Sequence, residues 1–565
     1  MPVPALVLGP LLRHVSTTTA TVWVEVDSAC TVTVLDHEAR TFCVHGHHYA
    51  LVVIEGLEPG SCTPYRVELD GASAWPIVGS PFPDSTIRTL DGDGPLRVLF
   101  GSCRASAPHQ PPHDLEPGRD PRQRGVDALR AHGLRMLGQP PSEWPHLIIC
   151  LGDQIYADDP SPKAQRRMKR RRRRNHEEAP DDTTADFEEY RNLYLETWTP
   201  DVERWLLSVV PSTMIFDDHD MIDDWNISRS WVDDIRAEPW WREHIIGGLV
   251  SYWIYQHLGN LDPDRIEEEG MLAELLSQDD GEPILRRWAE ESEEFTPVPG
   301  GYHFSFMREL GRTTLVVVDC RNGRDLEPGA RRMIDADEWA WITDQCRRDS
   351  DHLLIASSLP VYVPGGLHGL QQWNEALCEG AWGRPFAWLS ERLRRALDLE
   401  DWPAFNTSFH EFNDLVVEVA TRERPPATVT VLSGDIHFSY LSRVQLTELE
   451  PTGTQLDGQN LGTAVHQAVS SPVRNALRPR DRTVLRFGVS RVGRWIGGRL
   501  QRWAGRGSGR VTWDFVDGPL FHNGMGQLTL DGRSAHLLLE RAAHDDQGEP
   551  VLEAAAEREL AVTDG

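Results

Sequence analysis

Seven residues scattered along the chain carry the side chains that a multi-metal hydrolytic centre needs: Cys103, Asp153, Tyr156, Asp218, His219, Asp435 and His437. Phosphoester hydrolysis requires a nucleophilic hydroxide at neutral pH, neutralised phosphoryl oxygens and an acid for the leaving alkoxide. Two adjacent metal ions meet the first two needs when a carboxylate bridges them and further O, N or S donors flank each ion. Asp153 follows a glycine that permits a sharp turn, which makes it the candidate bridge. Tyr156, three residues on, returns to the same side if the chain turns helically. Asp435 and His437 lie two apart, so on an extended segment they face the same way and both can ligate. Asp218 and His219 cannot share a face of a regular strand, which suits one to metal and the other to substrate. A thiolate and a phenolate are unusual donors for hard divalent ions and good ones for ferric iron. Singly, each residue has an ordinary reading as core cysteine, core tyrosine or helix cap. Together, in order and at the ends of apolar runs, they read as a site.

Those runs are the elements that must position them. Arg97–Phe100, His146–Leu151, Thr213–Phe216, Leu315–Val318, Leu353–Ile355 and Val429–Leu432 are short continuous apolar stretches, the pattern of strands buried on both faces. Each ends in small or polar residues, and in layered α/β folds ligands bind beyond the carboxyl ends of the strands. Residues 1–92 instead alternate apolar and polar positions between Gly, Pro and Asp turns, predicting a small immunoglobulin-like β-sandwich. The catalytic domain is expected over 96–545, closing with a hairpin through Gln527–Leu530 and Ala535–Glu540, and 546–565 reads as an acidic, frayed tail. Trp225–Trp253 is expected to be helical and to build a satellite core or wall the pocket.

The order Gly-Ser-Cys (101–103), Gly-Asp-x-x-Tyr (152–156), Asp-Asp-His-Asp (217–220), Val-Asp-Cys-Arg (318–321), Gly-Asp-Ile-His (434–437) and Ser-Ser-Pro (470–472) resembles PhoD-type alkaline phosphatases and phosphodiesterases, within the calcineurin-like metallophosphoesterases. The resemblance implies a four-layer α-β-β-α sandwich behind the β-sandwich, and ferric iron (Fe3+) with calcium (Ca2+) as cofactors. It implies Cys103, Tyr156 and His437 as iron ligands, Asp153 as the bridge, Asp218 and Asp435 on the calcium side, and His219 as the acid or transition-state stabiliser. The implied reaction is hydrolysis of a small phosphorylated substrate, mono- or diester, by metal-bound hydroxide attacking in line with the leaving oxygen. Arg321 and Asp220 are assigned to the substrate side, although Arg321 with Asp319 also fits a structural ion pair. Asp220 stands where many relatives have Glu.

A net charge of −30 argues against nucleic acid as a partner unless positive charge is segregated. Two basic segments are the exceptions. Lys163–Arg174 reads as a solvated insertion or a polyanion contact. The stretch 482–510, with Trp495 and Trp503, reads as a helix docked on the catalytic domain or as a peripheral membrane contact. The chain is 40% hydrophobic with mean hydropathy −0.43, and no apolar run reaches the length of a membrane span. Without a leader pattern, and with 8 unpatterned cysteines, the expected compartment is the cytoplasm. Two other functions compete with hydrolysis of small phosphoesters: a non-catalytic anion- or partner-binding protein with an inherited metal site, and a membrane-associated phospholipase D-like enzyme.

Overall fold

The computed structural model of the chain describes residues 3–118, 120–175, 179–295, 302–446, 462–507 and 509–561. It is a mixed α/β protein behind a β-rich amino-terminal region. That region holds two four-stranded sheets, one ordered Leu6–Val15, Ala20–Val26, His47–Ile54, Phe42–Val44 and the other His37–Arg40, Thr31–Val34, Val67–Leu69, Ala72–Trp75. In Thr31–Val34 the valines are buried and the threonines half-buried, as period-two alternation requires. Leu12, Val22, Val24, Val32, Val52 and Ile54 fill the space between the sheets.

The outer face of the first sheet packs elsewhere. Leu11, Trp23, Tyr49 and Leu51 belong to the main core. Arg13 enters it completely buried, donating to the carbonyls of Tyr255 at 2.9 Å and Gln256 at 2.6 Å. Those carbonyls lie in a π-helical turn, Trp253–His257, where regular helix bonding is interrupted and backbone acceptors become free for such a cap. Trp225, Trp231, Trp241 and Trp253 are all buried in the same core, so the tryptophan-rich insertion builds packing rather than a pocket wall. Its helices are Arg229–Ile235 and Trp241–Tyr252.

Two large sheets carry the rest. The six-stranded sheet runs Ser212–Ile215, Leu147–Leu151, Leu96–Gly101, Gly524–Asp531, Ser534–His544, Pro550–Ala561, its first three strands parallel. The seven-stranded sheet runs Phe306–Leu310, Thr313–Val318, His352–Ser357, Thr428–Ser433, Ala464–Val469, Ser439–Leu446, Val511–Leu520, parallel from the second to the fifth. All six apolar runs are therefore strands, and the closing hairpin forms.

Three segments depart from expectation. Residues 550–561 are an edge strand rather than a frayed tail, paired along their length with Ser534–His544 and tied to it by side chains: Glu553 meets Arg541 at 2.5 Å and Glu557 lies 3.0 Å from His536. The tail's last residues, 562–565, lie outside the described ones. The basic run forms a helix, Pro162–Asn175, anchored by buried Ala164 and Met168 and by Arg172, whose guanidinium forks onto Glu189. The segment 482–510 holds most of one helix, Pro479–Val489, and all of a second, Arg491–Trp503, instead of a single helix, and ends just before strand Val511–Leu520.

Candidate metal centre

The parallel strands of both sheets point their carboxyl ends at one place. Loop 102–104 is clamped there: Cys103 N donates to Gly152 O at 3.3 Å, Arg104 N to Asp153 O at 3.0 Å and Arg474 N to Cys103 O at 3.1 Å. The two Gly-Asp pairs have a steric reason. A Cβ on Gly152, itself at φ +99°, would lie 2.4 Å from the Asp217 Cβ, and one on Gly434 would lie 2.2 Å from the Ser102 hydroxyl. Only glycine lets the strand ends approach so closely.

Donor atoms gather in three linked triads, each with its atoms within 4.8 Å of one another: Cys103, Asp153 and His437; Asp153, Asp218 and His219; Asp217, Asp218 and Asp435. Asp153 joins the first two and Asp218 the last two. Tyr156 packs beside Cys103, its hydroxyl accepting from Asn475 Nδ2 at 3.2 Å. Cys103, Asp153, Asp435 and His437 all hold left-handed φ between 53° and 63°. Such a conformation costs a non-glycine residue of the order of 1 kcal/mol and clusters at functional sites.

This backbone overturns two expectations about facing. Asp435 and His437 do not share a face, because neither is extended; they enter different triads. Asp218–Asp220 is a 3-10 turn rather than strand, which brings Asp218 and His219 into one triad with Asp153.

The electrostatics call for positive charge. Burial pushes the carboxyl of Asp153 well above its ordinary pKa, and both its oxygens are buried with no hydrogen-bond partner. Burial also raises Cys103, with Asp153 and Asp435 adding to it, and Tyr156, with Cys103 and Asp153 adding to it. Asp435 is raised by burial and then by Asp217 and Asp218. Four potential anions thus crowd a buried space, the situation a bound cation relieves. His437 is ready for it: burial lowers its pKa to about 4, and Nδ1 lies 3.0 Å from the Asn475 carbonyl, so a neutral ring donating there presents Nε2 as a lone pair.

His219 is different. Its Nδ1 lies 2.9 Å from Asp158, and burial, which lowers its pKa, is outweighed by Asp158, Asp218 and Asp153, which raise it well above the ordinary value. The ring is a quarter exposed and stacks, tilted, 4.7 Å from that of Tyr156.

Arg321 and Asp220 do not face substrate. Arg321 is completely buried, with Nε paired to Asp217, Nη1 to Glu400 at 2.5 Å and Nη2 to Asp218 at 3.3 Å. It is a structural cation that keeps three acids together. Asp220 accepts from the backbone N–H of Asp153 at 2.8 Å, Gln154 at 3.2 Å, Ile155 at 3.3 Å and Asp217 at 3.0 Å, and from Gln256 Nε2 at 3.2 Å. Its carboxylate pins the Asp153 loop to the Asp217 loop and has nothing left for a ligand.

Asp158, Asp217, Ser471 and Asn475 were missed as members of the site. Ser471 sets its hydroxyl 3.4 Å from the Cys103 sulfur and accepts from His437 N at 3.2 Å. The available signal was position: Asp158 lies two residues beyond Tyr156, Asp217 precedes Asp218, and Asn475 lies three beyond the Ser-Ser-Pro motif that contains Ser471.

Residues 132–244, which supply Asp153, Tyr156, Asp218 and His219, match the PhoD-like phosphatase family. Among solved structures, that of PhoD superposes with a TM-score of 0.57 at 11% identity, covering 100% of this chain and 93% of its own. The chain thus carries a PhoD-like phosphatase stretch and shares the fold of PhoD. Residues 3–87 match a domain of unknown function, DUF7800. No curated protein matches the chain in sequence.

Proposed function

We propose that the chain hydrolyses phosphomonoesters or phosphodiesters in a metal-dependent reaction, with iron held by Cys103, Tyr156, Asp153 and His437 and calcium on the carboxylate side formed by Asp218 and Asp435, joined by Asp217. The observation that carries this reading is Asp153: completely buried, common to two donor triads, and with both oxygens unpartnered. A soft sulfur, a phenol and an imidazole on one side and carboxylates on the other suit a ferric ion beside a hard divalent one. When bound, the ions supply activated water at neutral pH and neutralise the phosphoryl oxygens.

The chain's own residues do the rest. Asp158 orients His219, whose Nε2 then holds the proton for the leaving oxygen. Asp153 and Asp218 strengthen the ring's hold on that proton, and a cation bound to them would offset this pull. Asn475 fixes both a histidine and a tyrosine ligand, and Asp220 holds the Asp153 loop. We read the two large sheets with their helices as the four-layer arrangement of metallophosphoesterases, and the front sheets as an immunoglobulin-like sandwich.

The test is elemental analysis of the purified protein together with hydrolysis of an aryl phosphate and a bis-aryl phosphate. Iron with calcium is expected, and Asp153→Asn should cut turnover by about 10³-fold, the scale for losing a fixed charge-stabilising group. Undiminished turnover in that variant, or in the unaltered protein after exhaustive chelation, would sink the reading.

A further inference from the structure

Helices Pro479–Val489 and Arg491–Trp503 meet at Ser490, whose hydroxyl caps the second by accepting from Gly493 N at 3.0 Å. The second helix lies against helix Gly365–Cys378 through glycines. A Cβ on Gly369 would fall 2.2 Å from the Gly497 carbonyl oxygen, and one on Gly497 would fall 2.6 Å from that of Gly365. Backbones this close require small residues at the seam, so the helix turns its small face inward. Its large side chains go outward: Trp503, Trp495 and Val492 are 62%, 59% and 57% exposed. An amphipathic helix docked on an apolar protein core does the reverse, turning its large apolar side chains inward. Helix Arg384–Ala396 packs on the same central helix and repeats the inversion, burying Ser390 and Arg394 while Trp388 and Leu389 stand 58% and 59% exposed.

The segment that carries helices Pro479–Val489 and Arg491–Trp503 is basic in an acidic protein, although Arg494 and Arg506 pair with Asp514 and Glu379. Between Arg478 and Arg510 the chain has ten arginines and one acid, Asp481, against a net charge of −30 overall. Arg499 lies 4.9 Å from the centre of the Trp495 ring and Arg392 lies 3.8 Å from that of Trp388. Among the described residues Arg491, Arg499 and Arg502 have no carboxylate partner. Tryptophan beside arginine is the composition of a bilayer interface, where the ring sits at headgroup depth and the guanidinium meets lipid phosphate. Neither helix reaches across a membrane, and no described helix is long and apolar enough to do so.

We propose that this face is a peripheral docking surface for an anionic lipid bilayer, with Trp388, Trp495 and Trp503 as its anchors. The inference stands apart from the hydrolytic reading, since it uses no residue of the metal centre. The test is co-sedimentation of the full chain with vesicles of phosphatidylcholine mixed with phosphatidylglycerol, against vesicles of phosphatidylcholine alone. The mixed vesicles should pellet the protein and shift its tryptophan emission to the blue. Trp495→Ala with Trp503→Ala should weaken partitioning by about tenfold or more, given the apolar area each ring presents. Arg491→Glu with Arg499→Glu should erase the preference for the anionic vesicles, with melting temperature and far-UV dichroism unchanged in both variants. Equal binding to both vesicle types, or binding to neither, overturns the proposal. So does a lipid-free dimer that the tryptophan variant dissolves, because the face would then be a contact between copies of this chain.

Discussion

Two clusters in this protein bring a carboxylate and a histidine within the same reach, yet only one is left short of positive charge. His109, Asp127 and Glu203 bring their donor atoms within 4.8 Å of one another, as Cys103, Asp153 and His437 do. The first set is already answered. Arg104 binds Asp127 at 2.8 Å and Glu203 at 3.1 Å, Arg130 binds Glu203 at 3.2 Å, and His109 lies 2.9 Å from Glu203. Burial raises the Asp127 pKa, and Arg104 and Arg474 more than offset it, leaving the group below its ordinary value. Around Asp153 the balance runs the other way, and its pKa ends well above the ordinary one. Proximity of acids and histidines therefore says little; the sign of what remains after the local cations are counted says a good deal.

That difference can be broken by substitution at either cluster. The largest effect is expected at the saturated one: Glu203→Gln leaves Arg104 and Arg130 short of a buried partner and should lower stability by about 3–5 kcal/mol in urea unfolding. The folded fraction should keep its full metal content, and loss of metal in that variant would mean that the clusters are not independent. At the candidate centre, Asn475→Ala removes the side-chain partner of Tyr156 while keeping the backbone carbonyl that faces His437, and should weaken metal affinity by about tenfold in chelator competition, with little change in fold. The smallest and most diagnostic effect has the opposite sign. In metal-stripped protein, Asp153→Asn relieves a buried unpaired carboxyl and should raise stability by about 1 kcal/mol. A fall there would show that Asp153 is satisfied without a cation.

The strands were legible because parallel strands covered on both faces must be apolar at every position, so the Leu147–Leu151 and Thr428–Ser433 runs announce themselves. The seven donors were legible because they end those runs. How they face was not, since two-residue and one-residue spacing predict side-chain direction only on regular backbone, and Asp435, His437 and Cys103 adopt left-handed φ. Arg321 and Asp220 show the limit of residue type: a charge at a strand end is as readily consumed by neighbouring backbone or acids as offered to a ligand. Orienting residues such as Asp158 and Asn475 carry no pattern, because one hydrogen bond needs one polar residue anywhere in reach. The helix Arg491–Trp503 had the periodicity of a docked helix, and periodicity cannot tell which of its faces, glycine or tryptophan, meets the protein.

The buried guanidinium of Arg13 makes the front sheets a keystone. It holds the Gln256 carbonyl, Gln256 reaches Asp220 through its side chain, and Asp220 grips the amide of Asp153. One residue of the amino-terminal region thus stands three hydrogen-bonded steps from the backbone of Asp153. The two regions can be exchanged between proteins only as a fitted pair, since a foreign front piece would leave those carbonyls without their donor.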